Sequence, residues 1–216
     1  ALITDKTRVI FIANPNNPTG TWLNTTELAA FIAQVPENVI VVVDEAYFEY
    51  VIEEEYPDTL QWLEKYPNLI VTRTFSKIYA LAGLRVGYAV CSEQIADLLN
   101  RVRQPFNVNT PALIGATAAL DDEEHLQYCR EINLKGIKFW RAACQHRGLE
   151  YIPTVGNFIT INFERDATPI YNALLREAII VRPIGNYGLP NHLRITISTP
   201  EENQQCLDAL DKVLDL

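Results

Sequence analysis

Three short apolar runs constrain this chain more than any other feature: Val9-Ile10-Phe11-Ile12-Ala13, Val39-Ile40-Val41-Val42-Val43 and Leu69-Ile70-Val71. Each is unbroken by polar alternation and bounded by turn or polar residues, the pattern of a strand covered on both faces. Connections of about thirty residues that carry helical patterns separate them, which predicts βαβ units and a parallel sheet. In the first connection, Asn14-Pro15-Asn16-Asn17-Pro18-Thr19-Gly20 is dense in turn residues and stops the strand. Asn24 with Glu27 three residues on is a capping signal, and Leu28, Phe31, Ile32 and Val35 mark one helical face. In the second, Asp44-Glu45-Ala46-Tyr47 and an acidic loop at Glu53, Glu54 and Glu55 precede a short helix expected near Asp58 to Lys65.

The remaining chain reads as a fourth strand over Leu84 to Val90 and a helix capped by Ser92 with Ile95, Leu98, Leu99 and Val102 on it. After a break at Gln104 to Pro111, a small-residue helix covers Ala112 to Leu120. A long helix is predicted from Asp121 to Arg147, with acids in its first turn and Gly148 after its end. It would run about 40 Å. The last third changes character: strands at Tyr151-Ile152, Asn157 to Phe163, Ile179 to Val181 and Leu193 to Ile197, and helices at Thr168 to Ala178 and after the capping sequence Thr199-Pro200-Glu201-Glu202. The expected organisation is α/β: a mostly parallel sheet in a partial large domain (1–120), a connecting helix (121–148) and a small α+β carboxyl-terminal domain (149–216).

Composition excludes several classes. The 216 residues are 48% hydrophobic and 21% charged, with a formal net charge of −9. An acidic balance argues against nucleic acid, which needs a basic face. No apolar run approaches a membrane span, and no secretory leader pattern opens the chain, so the expected location is cytoplasmic. Cys91, Cys129, Cys144 and Cys206 lack metal-binding or redox spacing, and His125, His146 and His192 stand apart, so no metal is expected. The chain starts at Ala1 and contains no methionine, which reads as a fragment.

Asn17, Asp44 and Lys77 each lie just past the carboxyl end of a predicted parallel strand, the edge where ligands bind in such sheets. Read alone, Lys77 fits a surface lysine in a loop. It is also compatible with an amine that attacks a carbonyl, with Thr74, Ser76 and Arg85 beside it as phosphate donors. That second set of groups suits pyridoxal phosphate. Its ring nitrogen requires a carboxylate, which Asp44 offers; its phenolic oxygen requires donors, which Asn17 and Tyr47 offer. Its phosphate would take Thr74, Ser76, Arg85 and the N-terminus of a helix expected after Lys77.

The motifs Asn14-Pro15-Asn16-Asn17-Pro18-Thr19-Gly20, Asp44-Glu45-Ala46-Tyr47, Thr74-Phe75-Ser76-Lys77 and Gly83-Leu84-Arg85-Val86-Gly87 together resemble the fold-type I aminotransferases that depend on pyridoxal 5'-phosphate. The resemblance implies that Lys77 bonds covalently to the cofactor and moves the substrate proton, with Asp44 at the ring nitrogen and Asn17 and Tyr47 at the phenolic oxygen. Thr74, Ser76 and Arg85 take the phosphate. Ala80-Leu81-Ala82-Gly83-Leu84-Arg85, with Val181-Arg182-Pro183 and Leu193-Arg194-Ile195-Thr196, is most similar to the histidinol-phosphate branch. By that likeness Arg194 and Arg182 bind the substrate's anionic groups. The implied reaction exchanges an amino group between histidinol phosphate and imidazole acetol phosphate, with glutamate and 2-oxoglutarate, in histidine biosynthesis, in a homodimer. Same-fold alternatives are a decarboxylase of a phosphorylated amino acid and an aromatic aminotransferase. The amino-terminal features of the family do not precede Ala1, which leaves a catalytically inert fragment as a further alternative.

Overall fold

The computed structural model describes residues 2–215. These form two compact units: residues 2–15 with 22–126, and residues 16–21 with 127–215.

In the first unit, β1 (Val9–Ala13), β2 (Ile40–Asp44), β3 (Leu69–Thr74) and β4 (Gly87–Cys91) make one sheet in that order. β1–β2 and β2–β3 are parallel, with Val9 opposite Ile40 and Val43 opposite Val71. α1 (Thr25–Ile32) crosses between β1 and β2. Its start is fixed by the full capping box: Glu27 N–H donates to Asn24 Oδ1 at 2.9 Å, and Asn24 N–H donates to the Glu27 carboxylate at 3.0 Å. Leu28 and Ile32 then pack on Val41, Val43, Leu69 and Val71 in the core of this unit. Val41, Val42 and Val43 are buried, as a strand without alternation requires, whereas β1 at the sheet edge leaves Val9 and Phe11 exposed.

Three expectations for this unit do not hold. The fourth strand begins at Gly87 rather than Leu84 and runs antiparallel to β3, because a 3₁₀ turn at Ala82–Leu84 and Arg85 at φ +54° occupy the preceding residues. The stretch near Asp58 to Lys65 contains a 3₁₀ turn, Thr59–Trp62, not an α-helix. No helix follows Lys77: Ala80 at φ +56° breaks any helical continuation, and turns carry the chain to Ala82. α2 (Glu93–Val102) and α3 (Thr110–Leu120) complete this unit with the first turn of α4 (Glu123–Arg147).

The second unit holds the rest of α4 and an antiparallel sheet ordered β5 (Glu150–Ile152), β6 (Phe158–Asn162), β8 (His192–Thr196) and β7 (Arg182–Pro183). α5 (Thr168–Arg176) and α6 (Pro200–Leu214) bury Leu174, Leu207 and Leu210 against Trp140, Ile159, Ile161, Leu193 and Ile195. Thr199 caps α6 through the Glu202 N–H, while the Glu202 carboxylate takes the Ser198 hydroxyl, so the expected box closes on one side only. The strand expected at Ile179 to Val181 starts three residues later, at Arg182–Pro183, since the ladder follows the register of β8 and not the apolar run. Segment 16–21 joins this unit through backbone and side-chain bonds. Val155 N–H donates to Gly20 O at 3.1 Å and Thr160 Oγ1 donates to Pro18 O at 2.6 Å.

Candidate active site

In the first unit, Asp44 ends β2, Tyr47 follows one turn later, and Thr74 ends β3 with Ser76 and Lys77 just beyond it. Glu45 N–H donates to Thr72 O at 2.9 Å, which continues the parallel ladder past Asp44. Asp44 Oδ1 accepts the Ala46 N–H at 3.1 Å and the side chain is exposed, although a buried carboxylate suits a ring nitrogen better; the fully buried acid is its neighbour Glu45. Tyr47 is buried and the Lys77 Nζ lies 5.4 Å from the centre of its ring. Thr74 Oγ1 accepts the Ser76 N–H at 3.0 Å, which turns the chain out of β3.

Lys77 is exposed, and among the described residues no carboxylate lies within ion-pair distance of it or of Arg85. Both belong to one closed loop. Phe75 N–H donates to Val86 O at 3.2 Å and Leu81 N–H donates to Phe75 O at 2.9 Å. His125, in the first turn of α4, hydrogen-bonds Ile78 O through Nε2 at 2.9 Å and ties down the residue after Lys77. Arg85 bonds Ala82 O at 2.9 Å with one nitrogen of its guanidinium.

Beneath these groups lies a charged cluster. Arg73 Nε donates to Glu45 Oε2 at 2.9 Å and its Nη2 reaches Asp58 at 3.3 Å, while Thr59 Oγ1 donates to Glu45 Oε1 at 2.5 Å. Burial pushes the Glu45 carboxyl above its ordinary value despite the Thr59 bond and the Arg73 charge. Burial also works against the Arg73 charge, but Glu45 and Tyr88 together more than offset it and the guanidinium is held above its ordinary value. The signal in the sequence was the one charged residue of β3 and a second acid beside Asp44; only the strand register pairs them.

In the second unit, the turn at 16–21 brings Asn17 to Arg194: the Asn17 Oδ1 accepts from an Arg194 Nη. The Asn17-Pro18 bond within that turn is cis. Arg194 stacks 5.1 Å from the Phe158 ring centre, and its Nε is buried without a hydrogen-bond partner. Arg182 is exposed and sits directly opposite Arg194 in the β7–β8 register. Like charges placed directly opposite across a ladder are destabilising, by up to about 1 kcal/mol. Two arginines so placed, one with an orphaned N–H, suit a phosphate or carboxylate.

Among the described residues no cluster of histidine, cysteine, aspartate and glutamate has metal-site geometry, and no helix is long and apolar enough to cross a membrane.

The architecture is that of fold-type I pyridoxal-phosphate-dependent transferases. A histidinol-phosphate aminotransferase from Sinorhizobium meliloti, solved in complex with pyridoxal-5'-phosphate, superposes with a TM-score of 0.89 at 29% identity, over 96% of this chain and 57% of that one. The model of the aminotransferase class I and II family matches residues 1–210, and the chain belongs to that family. It is 58% identical to histidinol-phosphate aminotransferase 2 of Methylococcus capsulatus over 96% of its length and 56% of that relative. It is 54% identical to histidinol-phosphate aminotransferase 1 of Mannheimia succiniciproducens over 100% of its length and 59% of that protein. The chain thus spans under two thirds of the length of these relatives.

Proposed function

We propose that this chain serves pyridoxal-phosphate-dependent transamination between histidinol phosphate and imidazole acetol phosphate, with glutamate and 2-oxoglutarate as the second pair, in histidine biosynthesis. The observation that carries the reading is Lys77: an exposed amine beside a buried tyrosine, with no carboxylate to neutralise it among the described residues, in a member of this family. The identities of 53% and above to proteins named histidinol-phosphate aminotransferase favour this substrate over a decarboxylase or an aromatic aminotransferase.

The donor set fits the cofactor. When bound, pyridoxal phosphate supplies an electron-accepting ring that makes the substrate Cα–H acidic. Asp44 keeps the proton on the ring nitrogen. By the resemblance, the phenolic oxygen would take donors from Tyr47 and from Asn17, whose amide nitrogen is left available because Arg194 uses its oxygen. Thr74, Ser76 and Arg85 bind the phosphate, Arg85 with the donors that Ala82 O leaves free. Lys77 would be the amine that holds the cofactor at its aldehyde and the group that moves the proton at the substrate Cα as a general base and acid. Arg194 and Arg182 hold the phosphate or carboxylate of the substrate.

The division into a cofactor-binding part (1–120), a connecting helix (121–148) and a small carboxyl-terminal part (149–216) belongs to the same proposal, as do a homodimer and a cytoplasmic location. Free cysteines throughout the chain support a reducing compartment, and exposed Phe11, Val102, Phe106 and Ile114 are apolar surface that a second subunit would cover.

The test is borohydride treatment of the chain with pyridoxal phosphate, followed by peptide mass mapping. The cofactor mass is expected on the Lys77 peptide and lost in Lys77→Ala. Labelling spread over other lysines, or unchanged in the variant, overturns the assignment. Amino transfer from histidinol phosphate to 2-oxoglutarate then checks the substrate.

A further inference from the structure

We infer that the Arg73–Glu45 ion pair, braced by Thr59 and Asp58, is a positioning element that fixes the strand end carrying Asp44 against the strand end carrying Thr74, Ser76 and Lys77. The inference rests on the cofactor reading above and goes beyond it to residues that would not touch the cofactor.

The main-chain pairing between these two strands stops at Thr72, short of Thr74, Ser76 and Lys77. β2 and β3 are in register as far as Asp44 and Thr72, and the Glu45 N–H bond to Thr72 O continues that pairing. Beyond it β3 continues straight through Arg73 and Thr74, while Phe48 N–H bonds Glu45 O at 3.0 Å and turns the other strand away. Side chains take over where the ladder ends. Arg73 reaches Glu45 Oε2 through Nε at 2.9 Å and Nη2 at 2.8 Å, and the same Nη2 reaches Asp58 at 3.3 Å. The second Glu45 oxygen is taken by Thr59 at 2.5 Å. The Arg73 Cζ lies 3.6 Å from the centre of the Phe48 ring. Arg73 also stands opposite Tyr88 in β4, so the cluster links three strands and the Thr59–Trp62 turn.

Chemistry favours positioning over stability as the reason for this arrangement. The Glu45 side chain is wholly buried and that of Arg73 is 10% exposed. Desolvating such a pair costs several kcal/mol per ion, so a buried ion pair contributes little net stability, and an apolar pair often does better. It does impose direction. A planar fork with two acceptors and a ring beneath it has one orientation, which a lysine cannot reproduce. Glu45 and Arg73 directly neighbour Asp44 and Thr74 in sequence, so their orientation is passed to the two groups assigned to opposite ends of the cofactor.

The experiment uses the 216-residue chain. Arg73→Lys keeps the charge and so leaves no buried carboxylate uncompensated, but it removes the fork and the stacking. Amide hydrogen exchange is expected to quicken about tenfold at Ala46 and Ser76, whose N–H groups donate to Asp44 Oδ1 and Thr74 Oγ1, with less than about a twofold change at Val41 and Val43 in the ladder. Pyridoxal phosphate affinity is expected to fall about fivefold or more in parallel. Asp58→Asn, at the exposed end of the cluster, provides a second variant in case the first does not fold. It should give a smaller change at the same two amides. Uniform acceleration across β2 and β3 would mean a merely structural role and would overturn the inference, as would no change at Ala46 and Ser76. Wild-type chain that traps no cofactor on Lys77 would sink the functional reading, while the exchange pattern would still decide the positioning claim. Wild-type binding with equal affinity in Arg73→Lys would remove the positioning claim alone.

Discussion

Replacing Gly20 by alanine tests whether the turn at 16–21 is held by close packing. Gly20 has φ +76°, where an L side chain costs roughly 1 kcal/mol or more. A Cβ built there would lie 2.0 Å from Thr154 Oγ1 and 2.5 Å from Thr154 Cβ, both far inside van der Waals contact. Thr154 is 3% exposed and its Oγ1 accepts the buried Gly156 N–H at 3.1 Å, so it cannot swing aside freely. Overpacking of this kind costs about 1–3 kcal/mol. Together the two effects come to about 3 kcal/mol, which for a chain of this length lowers Tm by about 9 °C. Thermal unfolding followed by circular dichroism measures it. Thr154→Gly in the same chain removes the colliding Cβ and Oγ1 but leaves the backbone conformation, so the double variant should recover about 1–3 kcal/mol relative to the sum of the singles. A Gly20→Ala chain that melts within about 1 °C of wild type, or strict additivity in the double variant, would refute the packing argument. Because this turn also presents Asn17 to Arg194, the variant should also loosen that hydrogen bond and weaken the anion binding proposed for the arginine.

Further outcomes concern titration. Asp211 is held below the usual carboxylate range by its hydrogen bonds to Arg147, so it contributes stability above its unfolded value of 3.8 that is lost as pH falls through its lowered folded value. Asp211→Asn should therefore flatten the acid side of the Tm-versus-pH curve; an unchanged curve would contradict the assignment. Glu45 acts with the opposite sign: its folded value is raised, so its contribution is complete below 4.5 and is lost as pH rises through the raised value. Burial pushes the Cys144 and Cys206 thiols up to about 11. At pH 8 only about one in a thousand of either is thiolate, so iodoacetamide should mark the half-buried Cys91 and Cys129 first. Early labelling of Cys144, read by peptide mapping, would count against its burial.

Local signals were legible in the sequence because they act locally. The apolar runs of β1 to β3, the Asn24–Glu27 box and the acids and glycine flanking α4 all work within a few residues. What escaped depends on partners distant in the chain. The direction of β4 and the late start of β7 are set by neighbouring strands, and the positive φ of Ala80 and Arg85 carries no glycine to announce it. The exposure of Asp44 beside buried Glu45 follows from Arg73, twenty-eight residues away, which the strand register brings alongside. The grouping of 16–21 with the later residues likewise rests on Val155 and Thr160.

The bonds at Phe75 have a mechanical consequence. With its N–H tied to Val86 and its carbonyl tied to Leu81, the excursion between β3 and β4 is cinched at its neck. Lys77 and Arg85 ride on the same cassette, so thermal breathing of the sheet would carry amine and cation as one body. Gly87 sits at that neck, where an added Cβ would come within 2.8 Å of the Arg73 carbonyl. Damage there would displace both side chains in a single stroke.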